Sequence, residues 1–405
     1  MQNKCNIAYI CSMIKRQIEE KALYFSEKYP VVTITGPRQS GKTTLVENLF
    51  GDHEYYSLEN PITRAQIQED PSILFLPEGK KIIIDEVQRI PDLLSFIQVH
   101  ADKQKINGQF IITGSQSLLL SDKVSQTLAG RTAILKLLPF SLAEMKSHKE
   151  YSEDDYEEWI FRGFYPRIYD QNMLPSDFFP FYFETYLQRD VREIQNVRDL
   201  SQFSNFVKLC AGRVGQLVDY SSLANDAGIS VNTAKGWLSL LEASYVITLL
   251  NPYYKNLNKR IIKSPKLYFI DVGLASFLLD IQNPKQLTTH YLRGNLFENL
   301  IILELLKKRF NNAQLSNLYF FRDSNKNEVD CIMEDIELKA IEVKSAKSFF
   351  NSFIDGLKTF TKFSEMKTGN GYVVYGGDEN FSFKDFNILS WRNLEGIYIQ
   401  KDHNQ

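Results

Sequence analysis

Val31-Val32-Thr33-Ile34-Thr35-Gly36-Pro37-Arg38-Gln39-Ser40-Gly41-Lys42-Thr43-Thr44-Leu45 decides the reading of this chain, because a β-branched run leads straight into a glycine-rich turn that ends in Gly-Lys-Thr. Gly36 to Thr43 fills every fixed position of the phosphate-loop pattern G-x-x-x-x-G-K-[ST], with a strand expected before it and a helix after it. Glycines let backbone N–H groups close on phosphate oxygens, the helix that follows presents its positive end, and Lys42 adds a mobile point charge. The Thr43 hydroxyl would complete the shell of a Mg²⁺ ion. Gly36, Pro37, Arg38, Gln39, Ser40, Gly41, Lys42, Thr43 and Thr44 are therefore the expected nucleotide-binding residues.

Downstream, Lys81-Ile82-Ile83-Ile84-Asp85-Glu86 is a short apolar run closed by two acids, the form of a buried parallel strand with carboxylates at its C-terminal edge. After a phosphate loop at this distance, Asp85 is expected to hold the metal through water and Glu86 to orient or deprotonate the attacking water. A further strand, Gln109 to Ser115, ends in small hydroxyl residues at the same edge; Ser115 is the first choice to sense the γ-phosphate, Thr113 the second. Arg131 precedes a fourth apolar run, Ala133 to Leu138. It is a candidate for neutralising transition-state charge, in its own subunit or across a homo-oligomer interface, and equally a candidate for a surface ion pair.

The whole chain sets limits on what else is expected. Its 405 residues allow two or three domains, and a net charge of −2 gives no bulk attraction to polyanions, so any nucleic-acid contact must be local. Cys5, Cys11, Cys210 and Cys331 form no C-x-x-C pair or zinc-like cluster. With no apolar run long enough to span a bilayer, the expected location is the cytoplasm, with reduced thiols and no membrane partner. Residues 1–12 read as an N-terminal extension, and Met13, which opens an amphipathic helix over Ile14 to Leu23, is a candidate start.

Between Leu217 and Leu250, two short helices joined at Gly228 follow helix-turn-helix grammar, with Ser222 and Ser230 as expected caps and Leu223, Ala227, Ala234, Leu238 and Leu241 as the packing face. Strands at Val246 to Leu250 and Lys266 to Ile270, flanking Lys255, Lys259, Arg260 and Lys263, complete the outline of a winged helix. Asn232, Thr233 and Lys235 would face a DNA groove, or the unit would serve as a protein-packing lid. Asn283 to Thr289, with Pro284 as a breaker, is the expected linker.

Beyond it, residues two apart on a strand share a face, so Glu342 and Lys344 point together and Asp330 meets them from the neighbouring strand. Two carboxylates and a lysine that converge in this way can bind Mg²⁺ and steady a water against a phosphodiester; the alternative is cross-strand charge pairing.

Gly36 to Thr44, Ile84-Asp85-Glu86-Val87-Gln88, Ile112-Thr113-Gly114-Ser115 and Leu128-Ala129-Gly130-Arg131 together resemble a prokaryotic group of AAA-superfamily ATPases, akin to signal-transduction and archaeal-type ATPases, from Met13 to about Ile399. The resemblance implies ATP and Mg²⁺ as ligands, a helical lid over Phe178 to Val197 with Arg189 as a phosphate sensor, and a C-terminal domain of unknown function. Arg162-Gly163-Phe164-Tyr165-Pro166 departs from it, since the group has a second glycine where Phe164 stands. The C-terminal pattern resembles the PD-(D/E)XK nucleases, which implies that Glu298, borne on a helix before the strands, joins Asp330 and Glu342 at a metal, although Val329 replaces the proline of that name.

The expected architecture is α/β: a doubly wound P-loop ATPase domain over 13–150, a helical and winged-helix region over 151–283, and a small nuclease-like domain over 284–405. Its expected function is a Mg²⁺-dependent ATPase that controls DNA binding or processing. The alternative is a regulatory switch that acts on protein partners with an inert nuclease-like domain.

Overall fold

The structure, a computed structural model, describes residues 14–115, 124, 126–148, 155–187, 199–253, 263–364 and 366–398. Met13 and the extension before it, Arg189, Lys255, Lys259 and Arg260 lie outside the described residues.

Five parallel strands form the first sheet: β1 (Val31–Thr35), β2 (Glu54–Ser57), β3 (Ile82–Asp85), β4 (Phe110–Gly114) and β5 (Thr132–Lys136), in the order β2-β3-β4-β1-β5. Val31 to Thr35 are buried throughout, as are Ile82 to Asp85 and Phe110 to Gly114, as expected for strands covered on both faces. Because β4 lies between β1 and β3, its C-terminal hydroxyls stand between the phosphate loop and the acid pair. The loop continues into the helix Lys42–Leu49.

The helix expected from Ile14 starts only at Glu19 and runs to Ser26. Its would-be first turn is engaged elsewhere: the Arg16 N–H donates to Glu19 Oε1 at 2.8 Å and the Gln17 N–H to Glu144 Oε1 at 2.8 Å.

In the middle region, helices Tyr220–Ala227 and Val231–Ala243 precede the antiparallel pair β6 (Ile247–Leu250) and β7 (Lys266–Phe269). All five residues of the expected packing face are buried. Ser230 caps the second helix, but the first is capped by Asp219, whose carboxylate accepts from the N–H groups of Ser221 and Ser222, so Ser222 lies inside the first turn. Asn251 and Tyr253, just past β6, exchange backbone hydrogen bonds with Phe320, which joins this pair to the next sheet.

That sheet has six strands: β8 (Leu318–Arg322), β9 (Glu328–Glu334), β10 (Leu338–Lys344), β11 (Gly371–Tyr375), β12 (Phe381–Phe383) and β13 (Phe386–Ser390), in the order β12-β13-β11-β10-β9-β8. The expected linker is structured and not extended. Pro284 opens a short helix, Pro284–Leu287, capped by Asn283, and Leu287 is buried. The helix Arg293–Asn311 then packs back on the first unit, where Glu304 accepts from the Leu142 N–H at 2.7 Å and Lys307 donates to the Phe140 carbonyl at 2.7 Å. One apolar cluster accordingly runs from Leu138 to Ile397.

The departing turn is part of this packing. Gly163 has φ 70°, and a Cβ there would lie 2.3 Å from Asp271 Oδ1. Phe164 is fully buried, stacks on Trp159 with ring centroids 5.5 Å apart, and donates its N–H to Asp271 Oδ2 at 2.7 Å. Asp271 also caps the helix Val272–Leu278. Gly163→Ala should therefore lower unfolding free energy by about 1–3 kcal/mol in urea titrations, since the new methyl meets both a forbidden backbone region and a buried carboxylate.

Candidate functional site

Gly36, with φ 153°, turns the chain where a Cβ would lie 2.0 Å from the Leu137 carbonyl oxygen, so only glycine fits. Gly41, in the left-handed region, is the N-cap of the helix Lys42–Leu49 and offers no side-chain cap, which leaves the first N–H groups aimed into the loop. Lys42 donates to the carbonyls of Gly36 at 3.1 Å and Pro37 at 2.8 Å, and so stands inside the curve of its own loop. Ser40 Oγ is buried without a hydrogen-bond partner. Arg38 pairs with Glu59 at 3.2 Å, and Glu59 also pairs with Arg89. The cleft over the loop is about 1160 Å³ and is lined by Gln39, Thr43, Thr44, Asp85 and Glu86, by Arg16 from the N-terminal segment, and by Arg167 from the middle region.

The acid pair is held by hydroxyls from three elements. Asp85 Oδ2 accepts from Thr43 Oγ1 at 3.1 Å and from the Tyr55 hydroxyl at 2.7 Å, while Oδ1 accepts from Thr113 Oγ1. Burial, and next the Asp85 carboxylate, raise the Tyr55 phenol above its ordinary range, so it stays a donor. Glu86 lies in the left-handed region at φ 60°, with its N–H donated to Thr113 Oγ1 at 3.1 Å. Its Oε2 accepts from Ser115 Oγ at 3.0 Å and from the Gln88 amide. Thr113 thus positions both acids, and Ser115 stands against the Glu86 carboxylate. Thr43 and Asp85 offer hard oxygen donors side by side at the loop, the donor set that suits Mg²⁺ shared with substrate phosphates.

Arg131 is placed elsewhere. Its carbonyl accepts from the Val31 N–H at the start of β1, so a full strand of about 16 Å separates it from the loop. Its guanidinium is paired with Asp102 at 2.5 and 2.8 Å. Within its own chain this is a surface ion pair at the opposite edge of the sheet.

Three residues escaped the sequence reading: Arg16, Tyr55 and Lys266. Arg16 is buried, donates to the carbonyls of Ser40 at 2.8 Å and Leu138 at 2.6 Å, and pairs with Glu144 at 3.1 Å. No local pattern marks such a clamp.

At the C-terminal site, Lys344 donates to Glu342 Oε2 at 2.8 Å and Asp330 Oδ2 at 3.3 Å, and the Val343 N–H donates to Asp330 Oδ2 at 2.9 Å. The structure brings Glu298 there too, but with an unexpected companion: Lys266 Nζ from β7 lies 2.8 Å from Glu298, 2.5 Å from Glu328 and 3.7 Å from Asp330. Burial disfavours the Lys266 ammonium, yet Glu298 and its neighbours outweigh that and raise its pKa. Burial and the adjacent Asp330 raise Glu342. Burial works on Asp330 in the same direction, but Lys344 and Lys266 outweigh it and hold Asp330 well below the usual range. Among the described residues no three His, Cys, Asp or Glu side chains are grouped so as to hold a metal ion.

Comparison with known proteins fits the first site. A family model described as an AAA domain matches residues 28–146, the span that carries the loop, the acid pair and all five parallel strands. Residues 28–146 are an AAA domain. Two models described as domains of unknown function, DUF8612 and DUF4143, match residues 153–285 and 293–394 of the same chain. An uncharacterized protein of Mycobacterium tuberculosis is 28% identical over 387 residues, covering 93% of this chain and 83% of its own. An uncharacterized protein of Methanocaldococcus jannaschii is 25% identical over 368 residues, covering 83% and 78%. Among solved structures, a Walker-type ATPase of Pyrococcus abyssi is similar at 14% identity and TM-score 0.46, covering 66% of this chain and 96% of that one. The RuvB Holliday junction branch migration motor of Thermotoga maritima follows at 19% identity and TM-score 0.31, covering 58% and 89%. No helix among the described residues is long and apolar enough to cross a membrane.

Replacing Arg16 by Met should cost about 3 kcal/mol of stability by chemical denaturation, because it leaves Glu144 buried without its cation, and should weaken nucleotide binding measured by calorimetry.

Proposed function

We propose that this AAA protein is a Mg²⁺-dependent ATPase that works as a nucleotide-controlled switch. The observation that carries the reading is the linked geometry of loop and acids, in which one threonine, Thr113, positions both Asp85 and Glu86 beside a phosphate loop.

Substrate ATP would lie with its phosphates against the N–H groups of Gly36 to Thr44. Lys42 would leave the carbonyls of Gly36 and Pro37 for β- and γ-phosphate oxygens, exchanging neutral acceptors for charged ones. Thr43 and Asp85 would hold Mg²⁺, which when bound supplies charge neutralisation between the β- and γ-phosphates. Glu86 orients the attacking water and accepts its proton, and Ser115 and Gln88 fix the carboxylate for that role. Ser115 would thereby register the γ-phosphate through Glu86.

A route from this site to the rest of the chain exists in β1. Its last residue, Thr35, shares a hydrogen bond of 2.9 Å with the Tyr245 hydroxyl, in the turn between the helix Val231–Ala243 and β6. Movement of the loop on ATP binding would bias the middle region through that contact, a differential interaction of the kind a switch requires.

DNA contact is a second reading of the output, supported by the exposure of Asn232 and Lys235 on the helix Val231–Ala243. Acting on a protein partner is the alternative. If DNA is gripped there, affinity should fall with salt along a negative log-log slope, and Lys235→Ala should flatten it, measured by fluorescence anisotropy. An affinity that ignores salt leaves the protein-directed switch.

For the ATPase, Glu86→Gln should retain ATP binding by calorimetry while phosphate release slows about 100-fold or more. Unchanged turnover would remove Glu86 from the role of base.

A further inference from the structure

Lys266 is the cation at the centre of the C-terminal carboxylates, and it comes from outside the domain that supplies them. It opens β7 of the middle region, only 2% exposed, and projects onto the face where Glu298 of the helix Arg293–Asn311 meets Glu328 and Asp330 of β9. The Tyr268 hydroxyl, two residues along the same strand, donates to the same Glu298 oxygen that Lys266 holds. Lys344 occupies the other side of Asp330, so each oxygen of that carboxylate faces one ammonium. Arg322 completes the arrangement, pairing with Glu328 at 3.0 Å.

A divalent ion in a carboxylate site needs several oxygens directed at one point and a net negative charge awaiting it. Here that point is already occupied and most of that charge already answered. The carboxylate oxygens of Glu298, Glu328 and Asp330 converge on a nitrogen already present, and Lys266 and Lys344 together carry the two positive charges that such an ion would bring. Crowding adds to this: a Cβ on Gly356 would lie 2.0 Å from Glu342 Oε1, so the helix Asp355–Thr361 presses its backbone against that carboxylate. Backbone pairing between Phe320 of β8 and the segment Asn251–Tyr253 after β6 fixes the two sheets edge to edge and holds β7 in place.

We infer that the carboxylate cluster of the C-terminal region is a receptor for the Lys266 side chain, which takes the place of a divalent cation and docks the middle region onto the nuclease-like sheet. In this docked arrangement the site performs no metal-assisted hydrolysis. The inference goes beyond the ATPase reading and does not rest on it.

The test measures Mn²⁺ binding by electron paramagnetic resonance on the full, nucleotide-free chain carrying Asp85→Asn, which removes the metal-binding carboxylate at the phosphate loop. This protein should leave Mn²⁺ free, whereas adding Lys266→Met should create one bound Mn²⁺, at least ~10-fold tighter than any binding before it, and adding Asp330→Asn should abolish that site. Lys266→Met should also melt at a lower temperature, and Mn²⁺ should raise its melting point again. A chain with Lys266 intact that binds Mn²⁺ in a manner lost on Asp330→Asn overturns the inference, and this arm stands whether or not the Lys266 variant folds. A folded Lys266→Met chain no better at binding Mn²⁺ than its parent overturns it as well. Neither result bears on ATP hydrolysis, which is read separately through Glu86.

Discussion

The carboxylate of Asp85 is the constraint on which the first unit depends. A buried anion must be hydrogen-bonded, and this one takes its donors from Thr43 at the head of the loop helix, Tyr55 on β2 and Thr113 on β4. Three elements far apart in sequence are tied to one atom pair. The same Thr113 hydroxyl then accepts from the Glu86 backbone, so the left-handed turn that swings Glu86 out of β3 is fixed by the residue that anchors its neighbour. Order in the strands and order in the chemistry are one problem here, because loosening β4 would release both acids at once.

Buried charge recurs wherever the units meet. Arg16 and Glu144 join the N-terminal segment to the far side of the loop, Glu304 and Lys307 hold the long helix Arg293–Asn311 against the first unit, and Lys266 inserts into the carboxylates of the last. Ion pairs of this kind add little to net stability compared with apolar replacements, but losing one partner is costly. They therefore act on register: each fixes one orientation between surfaces that apolar contact alone would allow to slide.

How much of this could be read in the sequence differed by kind. The phosphate loop, the acid pair and the strand between them were legible because each is a local pattern with an apolar run attached. The packing face of Leu223, Ala227, Ala234, Leu238 and Leu241 was legible for the same reason. The caps were less so: Ser222 looks like a natural cap, but Asp219 accepts from two N–H groups with a charged oxygen and displaces the start of the helix. Pro284 looks like a breaker, yet proline fits the first turn of a helix when a residue such as Asn283 caps it. Arg16, Tyr55 and Lys266 were invisible because their partners lie far along the chain. Lys266 is the sharpest case: the sequence showed the acids and Lys344 in the order of a metal site, and only the fold shows a second lysine among them.

Because one apolar cluster runs from Leu138 to Ile397, the middle and C-terminal regions of this protein share a core and are not beads on a string. A crossover between Leu287 and Arg293 would strand a long helix that packs against β5, β7 and β10 as well as two other helices. Lineages that keep the helix must keep the surfaces that receive it, and a change in one favours a matching change in the other. The middle and C-terminal regions would then drift as one inherited block, while exposed turns around them remain free to vary.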